Sequence, residues 1–143
     1  MAYEKASAHL HRESGECLIE HMCRHPEGMG SATLREYARV PASDFERRVS
    51  DEVIRALNNY HTPRSLDSIP ADTGAQRAEW LRDHKVVSIT RFASGVIELV
   101  PMRRERGGLR GMRDRAIEIP PDAVRTQLPC DRHNAPHLLK YPG

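Results

Sequence analysis

An α+β fold, with a helical N-terminal half followed by a β-hairpin or small antiparallel sheet, is what this sequence predicts. Three observations predict it. Apolar residues recur at helical spacing before residue 84, Ser43-x-x-Glu46 opens a long amphipathic stretch, and two β-branched runs, residues 86–91 and 96–100, flank a Phe-Ala-Ser-Gly turn.

Taken in order, residues 3–25 read as a helix with a break at Ser14-Gly15, because Leu18, Ile19, Met22 and Cys23 share one helical face. His25-Pro26-Glu27-Gly28-Met29-Gly30 ends it with a proline and two glycines. Thr33-x-x-Glu36 is a capping-box pattern for a short second helix carrying Leu34, Tyr37 and Ala38 and closed by Pro41. The third helix, residues 43–60, carries Phe45, Val49, Val53, Ile54 and Leu57 along one stripe and Arg47, Arg48, Asp51 and Arg55 on the opposite face. A loop over residues 61–72 leads to Thr73-x-x-Gln76 and a helix holding Ala75, Ala78, Trp80 and Leu81 that ends near His84. In the hairpin, alternation turns Val87, Ile89, Ile97 and Leu99 inward. Residues 116–119 add a third strand and 121–127 a short helical turn. The domain therefore spans residues 1–128, and 129–143 form an irregular tail.

Composition narrows the classes of function. A chain of 143 residues suits one domain. With 5% aromatic residues it is poorly supplied for a single-strand nucleic-acid binder built on stacking rings. Its formal charge of +2 is unevenly spread: residues 1–50 hold seven basic and eight acidic side chains, whereas 81–115 hold nine basic and four acidic. Three cysteines, Cys17, Cys23 and Cys130, have no disulfide-scaffold spacing, which points to a reducing, cytoplasmic setting. No signal-peptide pattern or apolar run of membrane-spanning length is present, so no membrane partner is expected.

The hairpin exit, Arg103 to Arg115, places six arginines against two acids within thirteen residues, with three interspersed glycines. Guanidinium groups fork onto phosphate oxygens, and glycines let a backbone approach a groove. The element order, a helix pair at residues 33–40 and 43–60 joined by Pro41-Ala42 and followed by a hairpin, resembles a winged helix-turn-helix over roughly residues 15–102. That resemblance implies duplex DNA in contact with Ser43, Asp44, Arg47, Arg48 and Asp51, with the hairpin lying on the backbone. The turn lacks the usual glycine, and an extra loop and helix precede the hairpin. The expected function is a non-enzymatic regulatory or accessory protein that binds nucleic acid. Arg103, Arg104, Arg106, Arg110, Arg113 and Arg115 would neutralise phosphates, Arg91 would assist, and Arg47 and Arg48 would reach base edges. The alternative is a small protein-binding inhibitor or adaptor that docks the same loop on an acidic partner surface.

Other chemistries have less to rest on. Cys17 and His21 sit at i, i+4, and Cys130-x-x-His133 has ligand spacing, but neither half forms a recognised zinc motif, so no metal or cofactor is assigned. Asp131, His133, Asn134 and His137 are residue types found in hydrolase sites. No nucleophile elbow, phosphate-binding loop or dinucleotide fingerprint accompanies them, and no enzyme is expected. A homodimer through the apolar first helix is compatible with either binding function.

Overall fold

Alternation rather than helical periodicity governs the first forty residues. In the computed structural model, which describes residues 3–28, 30–70, 74–105 and 108–128, the chain begins with three strands: β1 (Tyr3–His11), β2 (Cys17–Arg24) and β3 (Ser31–Val40). Ala6, Ala8 and Leu10 of β1 face one side of the sheet and are buried, while Ser7 and His9 face the other and are buried too. A strand covered on both faces tolerates small side chains on each, and that left β1 with an alanine-rich composition that favours helix by propensity alone. The helical N-terminal half, and with it the winged helix, is thereby corrected. The first predicted helix is the β1–β2 hairpin, with its turn at the expected Ser14-Gly15 break. The Thr33–Val40 helix is β3, in which Thr33 and Glu36 are exposed and cap nothing.

The third predicted helix does form. It is α1 (Phe45–Asn58), entered from a 3-10 turn at Ala42–Asp44, so Ser43 lies inside that turn and does not cap the helix. Phe45, Val49, Val53, Ala56 and Leu57 are buried against Ala6, Ala8, Ile19 and Val40 of the first three strands. A buried Val or Leu side chain contributes roughly 1.5–3 kcal/mol, so this stripe is the main reason the helix stays on the sheet. Next come α2 (Gly74–Asp83), β4 (His84–Phe92), β5 (Ile97–Glu105), β6 (Gly108–Gly111), β7 (Ile117–Ile119) and a one-turn α3 (Val124–Gln127). Val87, Ile89, Ile97 and Leu99 are all buried, as alternation requires. Gly95 closes the β4–β5 turn at φ +91, donating its N–H to the Phe92 carbonyl.

The strands form one antiparallel sheet in the order β3-β2-β1-β4-β5-β6, with β7 pairing the first half of β5 and β6 the second. Helix α1 and the short α3 cover one face. Helix α2 packs on the other face, beside β4, and that second face carries the polar chemistry. No helix among the described residues is long and apolar enough to cross a membrane.

One core-side residue sits badly. Lys85, opposite Leu10, is buried, and burial together with Arg115 and Arg12 pushes its ammonium down to about 8 from 10.5. Because the folded value lies below the unfolded one, the folding penalty is complete below about pH 8 and fades as pH rises toward 10.5. Lys85→Met should therefore stabilise the protein by about 1–3 kcal/mol at pH 7, with the gain vanishing near pH 10.5. Denaturant titrations at pH 7 and 10 check this, and an equal gain at both would sink the explanation.

Candidate functional site

Strand register sets a row of side chains across the second face. Ser88 of β4 opposes Ser7 of β1, Ser7 opposes Glu20 of β2, and Glu20 opposes Tyr37 of β3. Ser7, His9 and Glu20 are buried there. Ser7 Oγ donates to Glu20 Oε1 at 3.0 Å, and His9 Nε2 lies 3.0 Å from the same oxygen. Trp80 of α2 donates its indole N–H to His9 Nδ1 at 2.9 Å. Nδ1 is thus an acceptor, so Nε2 carries the proton and donates it to Glu20. The residue types are those of a catalytic triad, but the bonds are not. The histidine nitrogen nearest Ser7 holds a proton instead of taking one, so His9 is not the base of a Ser7 nucleophile. Both bonds fall on Oε1, which leaves Oε2 as an acceptor for the space that Glu20 lines.

Three rings stand in sequence above this network. His84 stacks on Trp80 at 3.8 Å and 7°, and Trp80 stacks on Tyr37 at 5.5 Å and 22°. His9 meets Trp80 and Tyr37 edge-on at 5.7 and 5.8 Å. His84 Nδ1–H donates to the Trp80 carbonyl at 3.0 Å. Burial lowers the His84 pKa, against a smaller upward pull from that carbonyl bond. The stability linked to neutral His84 is therefore present above its unfolded pKa and is lost as pH falls through the lowered folded value.

Between these rings, β3 and the β5–β6 hairpin opens a cleft of about 310 Å³, lined by His9, Glu20, Arg35, Tyr37, Arg77 and Trp80, with Leu109 on the hairpin side. Arg35 reaches it from a bulge. His21 pairs with Glu36 and Met22 with Thr33, so β3 spends two extra residues, Leu34 and Arg35, across one step of β2. Arg35 adopts φ +55, the one positive φ of a non-glycine residue among those described. A left-handed conformation costs such a residue roughly 1–2 kcal/mol, a strain that concentrates where a side chain has to be aimed.

Of the nine arginines predicted to bind nucleic acid, the eight among the described residues are dispersed. Arg47 and Arg48 lie in the first turn of α1 against Asp44. With no winged helix, the base-edge role given to this pair loses its geometric basis. Arg91 binds Glu4 and, at 2.7 Å, Asn58 Oδ1. Arg91 pairs with Ile97, six positions along β5 from Arg103, or about 20 Å. Arg113 grips the buried Glu98 with two bonds of 3.0 and 3.1 Å. Arg115 is exposed on a 3-10 turn, and Arg106 lies outside the described residues. Arg103, Arg104 and Arg110 come together on the β5–β6 hairpin. Arg103 opposes Arg110, Arg104 opposes Leu109, and Glu105 lies 3.9 Å from Arg110.

The metal spacing does not survive the change of secondary structure. On a strand, residues four apart are about 13 Å apart, too far for Cys17 and His21 to share an ion. Cys17 is also buried in the core, which pushes its thiol up to about 12. Cys130, His133 and the rest of the predicted C-terminal tail lie outside the described residues. Among the described residues, no group of three or more His, Cys, Asp or Glu is placed to hold a metal.

No family model matches the chain, and no curated protein matches it. The fold itself has a solved counterpart. A protein of unknown function from Neisseria meningitidis is similar to this chain with a TM-score of 0.62, covering 96% of this chain and 89% of its own at 14% identity. At that identity the likeness shows the fold alone.

Sequence reasoning named none of Ser7, His9, Glu20, Arg35 and Arg77 as site residues, and gave Tyr37 and Trp80 only to helix faces. One signal was present: Ser7 and His9 alternate with Ala6, Ala8 and Leu10, the period-two pattern of a strand with a polar face.

Proposed function

We propose that this protein is a non-enzymatic binding protein that docks an acidic protein surface through the β5–β6 hairpin. The observation that carries the reading is the cross-strand pair Arg103 and Arg110 at the sheet edge, with Arg104 on the reverse face. Like charges directly opposed on a hairpin cost up to roughly 1 kcal/mol, and an anionic partner relieves that cost. On that reverse face Arg104 stands opposite half-buried Leu109, half-buried Met102 shares the same face, and Trp80 and Tyr37 lie beyond Leu109. A compact mixture of arginine, aromatic and apolar surface has the composition of a protein interface centre.

Duplex DNA fits less well. A phosphate-tracking surface needs a continuous run of uncompensated cations, whereas Arg47, Arg48, Arg91 and Arg113 face carboxylates and are spread over both faces of the sheet. A reducing, cytoplasmic setting accords with the free Cys17 and Cys23. The dimer expected through an apolar first helix loses its basis, because that segment forms inner strands of the sheet.

A photo-crosslinking residue in place of Leu109, irradiated in extract of the native cells, tests the reading. The expected result is a discrete, nuclease-resistant protein adduct that disappears with Arg104→Glu. A nuclease-sensitive adduct would transfer the hairpin to nucleic acid, and an adduct indifferent to Arg104 would overturn the docking role.

A further inference from the structure

We infer that α2 is an acid-sensitive lid: His9 and His84 latch it to the sheet in their neutral forms, and protonation of the two rings releases it while the sheet stays folded. The latch works whether or not the hairpin has a partner.

The lid has two anchors. From residue 75 to residue 83 of this ten-residue helix, Leu81 is buried and Trp80 half-buried, and every other residue is exposed. Isolated helices shorter than roughly 12–15 residues are marginal in water, so α2 keeps its shape only while it is docked. Its exit is fixed separately. The Asp83 carbonyl accepts the Arg12 N–H at 2.8 Å, which extends the β1–β4 ladder one step past the His11–His84 pair. The helix can therefore part from the sheet at that point without opening the ladder.

Both anchoring contacts of the indole favour a neutral imidazole. His9 Nδ1 accepts the Trp80 N–H at 2.9 Å, and a proton on Nδ1 would set two donors face to face. Once α2 has left, that proton meets no conflict, and the bond from Nε2–H to Glu20 at 3.0 Å is kept and reinforced by the charge. The released state therefore binds the proton more tightly than the docked one. His84 lies flat under the indole at 3.8 Å, and burial, against a smaller pull from the Trp80 carbonyl, lowers its pKa from 6.5. Release of α2 rehydrates this ring. His11 stands edge-on to His84 at 5.2 Å, and its own Nδ1 accepts the amides of Glu13 and Ser14 at 3.3 and 3.2 Å.

The surrounding charges do not reverse this preference. Glu20 of β2 faces His9 and Asp83 at the helix end acts on His84, both favouring protonation, whereas His9 and His11 of β1 act on His84 against it. Arg77 of α2 and Arg35 of β3 line the cleft with His9 and also oppose a second proton there, and Tyr37 of β3 meets His9 edge-on. Glu20 faces His9 in both states, but the indole contact exists only in the docked one, so Trp80 makes the difference between them. Docking is at full strength above the ordinary histidine value of 6.5 and weakens as pH falls below it, until docked His84 is itself protonated at its lowered value.

Hydrogen exchange of the whole protein, read by mass spectrometry and corrected for the intrinsic pH dependence of amide exchange, tests the latch. Between about pH 7.5 and about pH 5 the protection of α2 is expected to fall at least about tenfold while β1 and α1 keep theirs, since each linked proton contributes up to about tenfold per pH unit. His9→Asn leaves a non-titrating acceptor oxygen near the place of Nδ1, and His84→Phe leaves a ring under the indole that takes no proton. Each alone should flatten the fall and the two together should remove it, so the comparison does not depend on the double variant folding. Unchanged protection of α2 at the lower pH overturns the inference, as does a loss that spreads equally to β1 and α1, or one as large in the variants as in the parent. Trp80 also lies beyond Leu109, so, resting on the docking reading above, crosslinking at Leu109 should weaken in acid as well. That yield is a separate readout: the exchange result decides the lid, and the crosslink decides whether its opening reaches the docking surface.

Discussion

Replacing Glu20 with alanine should destabilise the protein by about 3 kcal/mol, a fall in Tm on the order of 10 °C. The carboxylate accepts from Ser7 Oγ and from His9 Nε2, each at 3.0 Å, in a site where all three residues are buried. Truncation leaves the Ser7 hydroxyl without its acceptor and His9 Nε2–H with only Ser7 Oγ, at 3.0 Å, to donate to, and an abandoned buried donor costs roughly 1–3 kcal/mol where water does not replace the partner. The damage extends beyond the pair. His9 Nδ1 anchors Trp80, so a His9 ring released from Glu20 also loosens the wall that α2 presents to the cleft. Glu20→Gln keeps one acceptor oxygen and should cost only about a third as much. Denaturant unfolding of the two variants measures the contrast. A loss below about 1 kcal/mol for Glu20→Ala would mean that water from the cleft already serves these donors, and that the network does not hold the second face together.

Reversing the hairpin charge, with Arg103→Glu and Arg104→Glu together, should weaken the crosslinked partner by 100-fold or more. Placing like charges across an interface costs several kcal/mol, and each 1.4 kcal/mol is tenfold. The same double variant carries a second, opposite expectation. Arg103 stands directly across from Arg110, so a glutamate there turns a like-charge pair into an opposite-charge one, and hairpin stability should rise by a few tenths of a kcal/mol or more. Loss of binding with an unchanged or higher Tm would assign the arginines to recognition. Loss of both would make the hairpin a structural element whose failure carries binding with it. Arg103→Lys keeps the charge and removes the fork, so an intermediate loss is expected if the partner supplies carboxylates.

The parts of the fold that were legible are those where one physical signal dominates. Helix α1 announces itself because its stripe from Phe45 to Leu57 consists of large side chains at unbroken helical spacing. The β4–β5 hairpin does so because Val87, Ile89, Ile97 and Leu99 are β-branched or bulky and alternate around a glycine turn. The first forty residues gave a false period. Leu18, Ile19, Met22 and Cys23 match a helix face, yet on β2 Leu18 and Ile19 point to opposite sides of the sheet, both of them buried. Thr33 and Glu36 copied a capping box from within a strand, at the bulge that places Arg35 at the cleft. The candidate site was less legible than the fold. The arginine run is visible in one dimension, but its division into a hairpin with Arg103 and Arg110 on one face and Arg104 on the other, a carboxylate-bound Arg113 and distant Arg47, Arg48 and Arg91 depends on register.

By itself the sequence determined the local material: one amphipathic helix, one hairpin, a basic segment after it, and enough apolar residues for one core. These follow from side-chain size, branching and spacing along a few consecutive residues, which fix local backbone preference. Only the tertiary structure decided that β1, β2 and β3 are strands, since their small and polar residues favour extension only when neighbouring strands supply hydrogen bonds and both faces are covered. It also decided the site. Ser7, His9, Glu20, Tyr37 and Trp80 come from four separate elements, and residues 71 positions apart, such as His9 and Trp80, share a hydrogen bond only because strand pairing and the docking of α2 bring them together. A contact between distant segments is a property of register and packing, and the chain read in order carries no local energy term that records it.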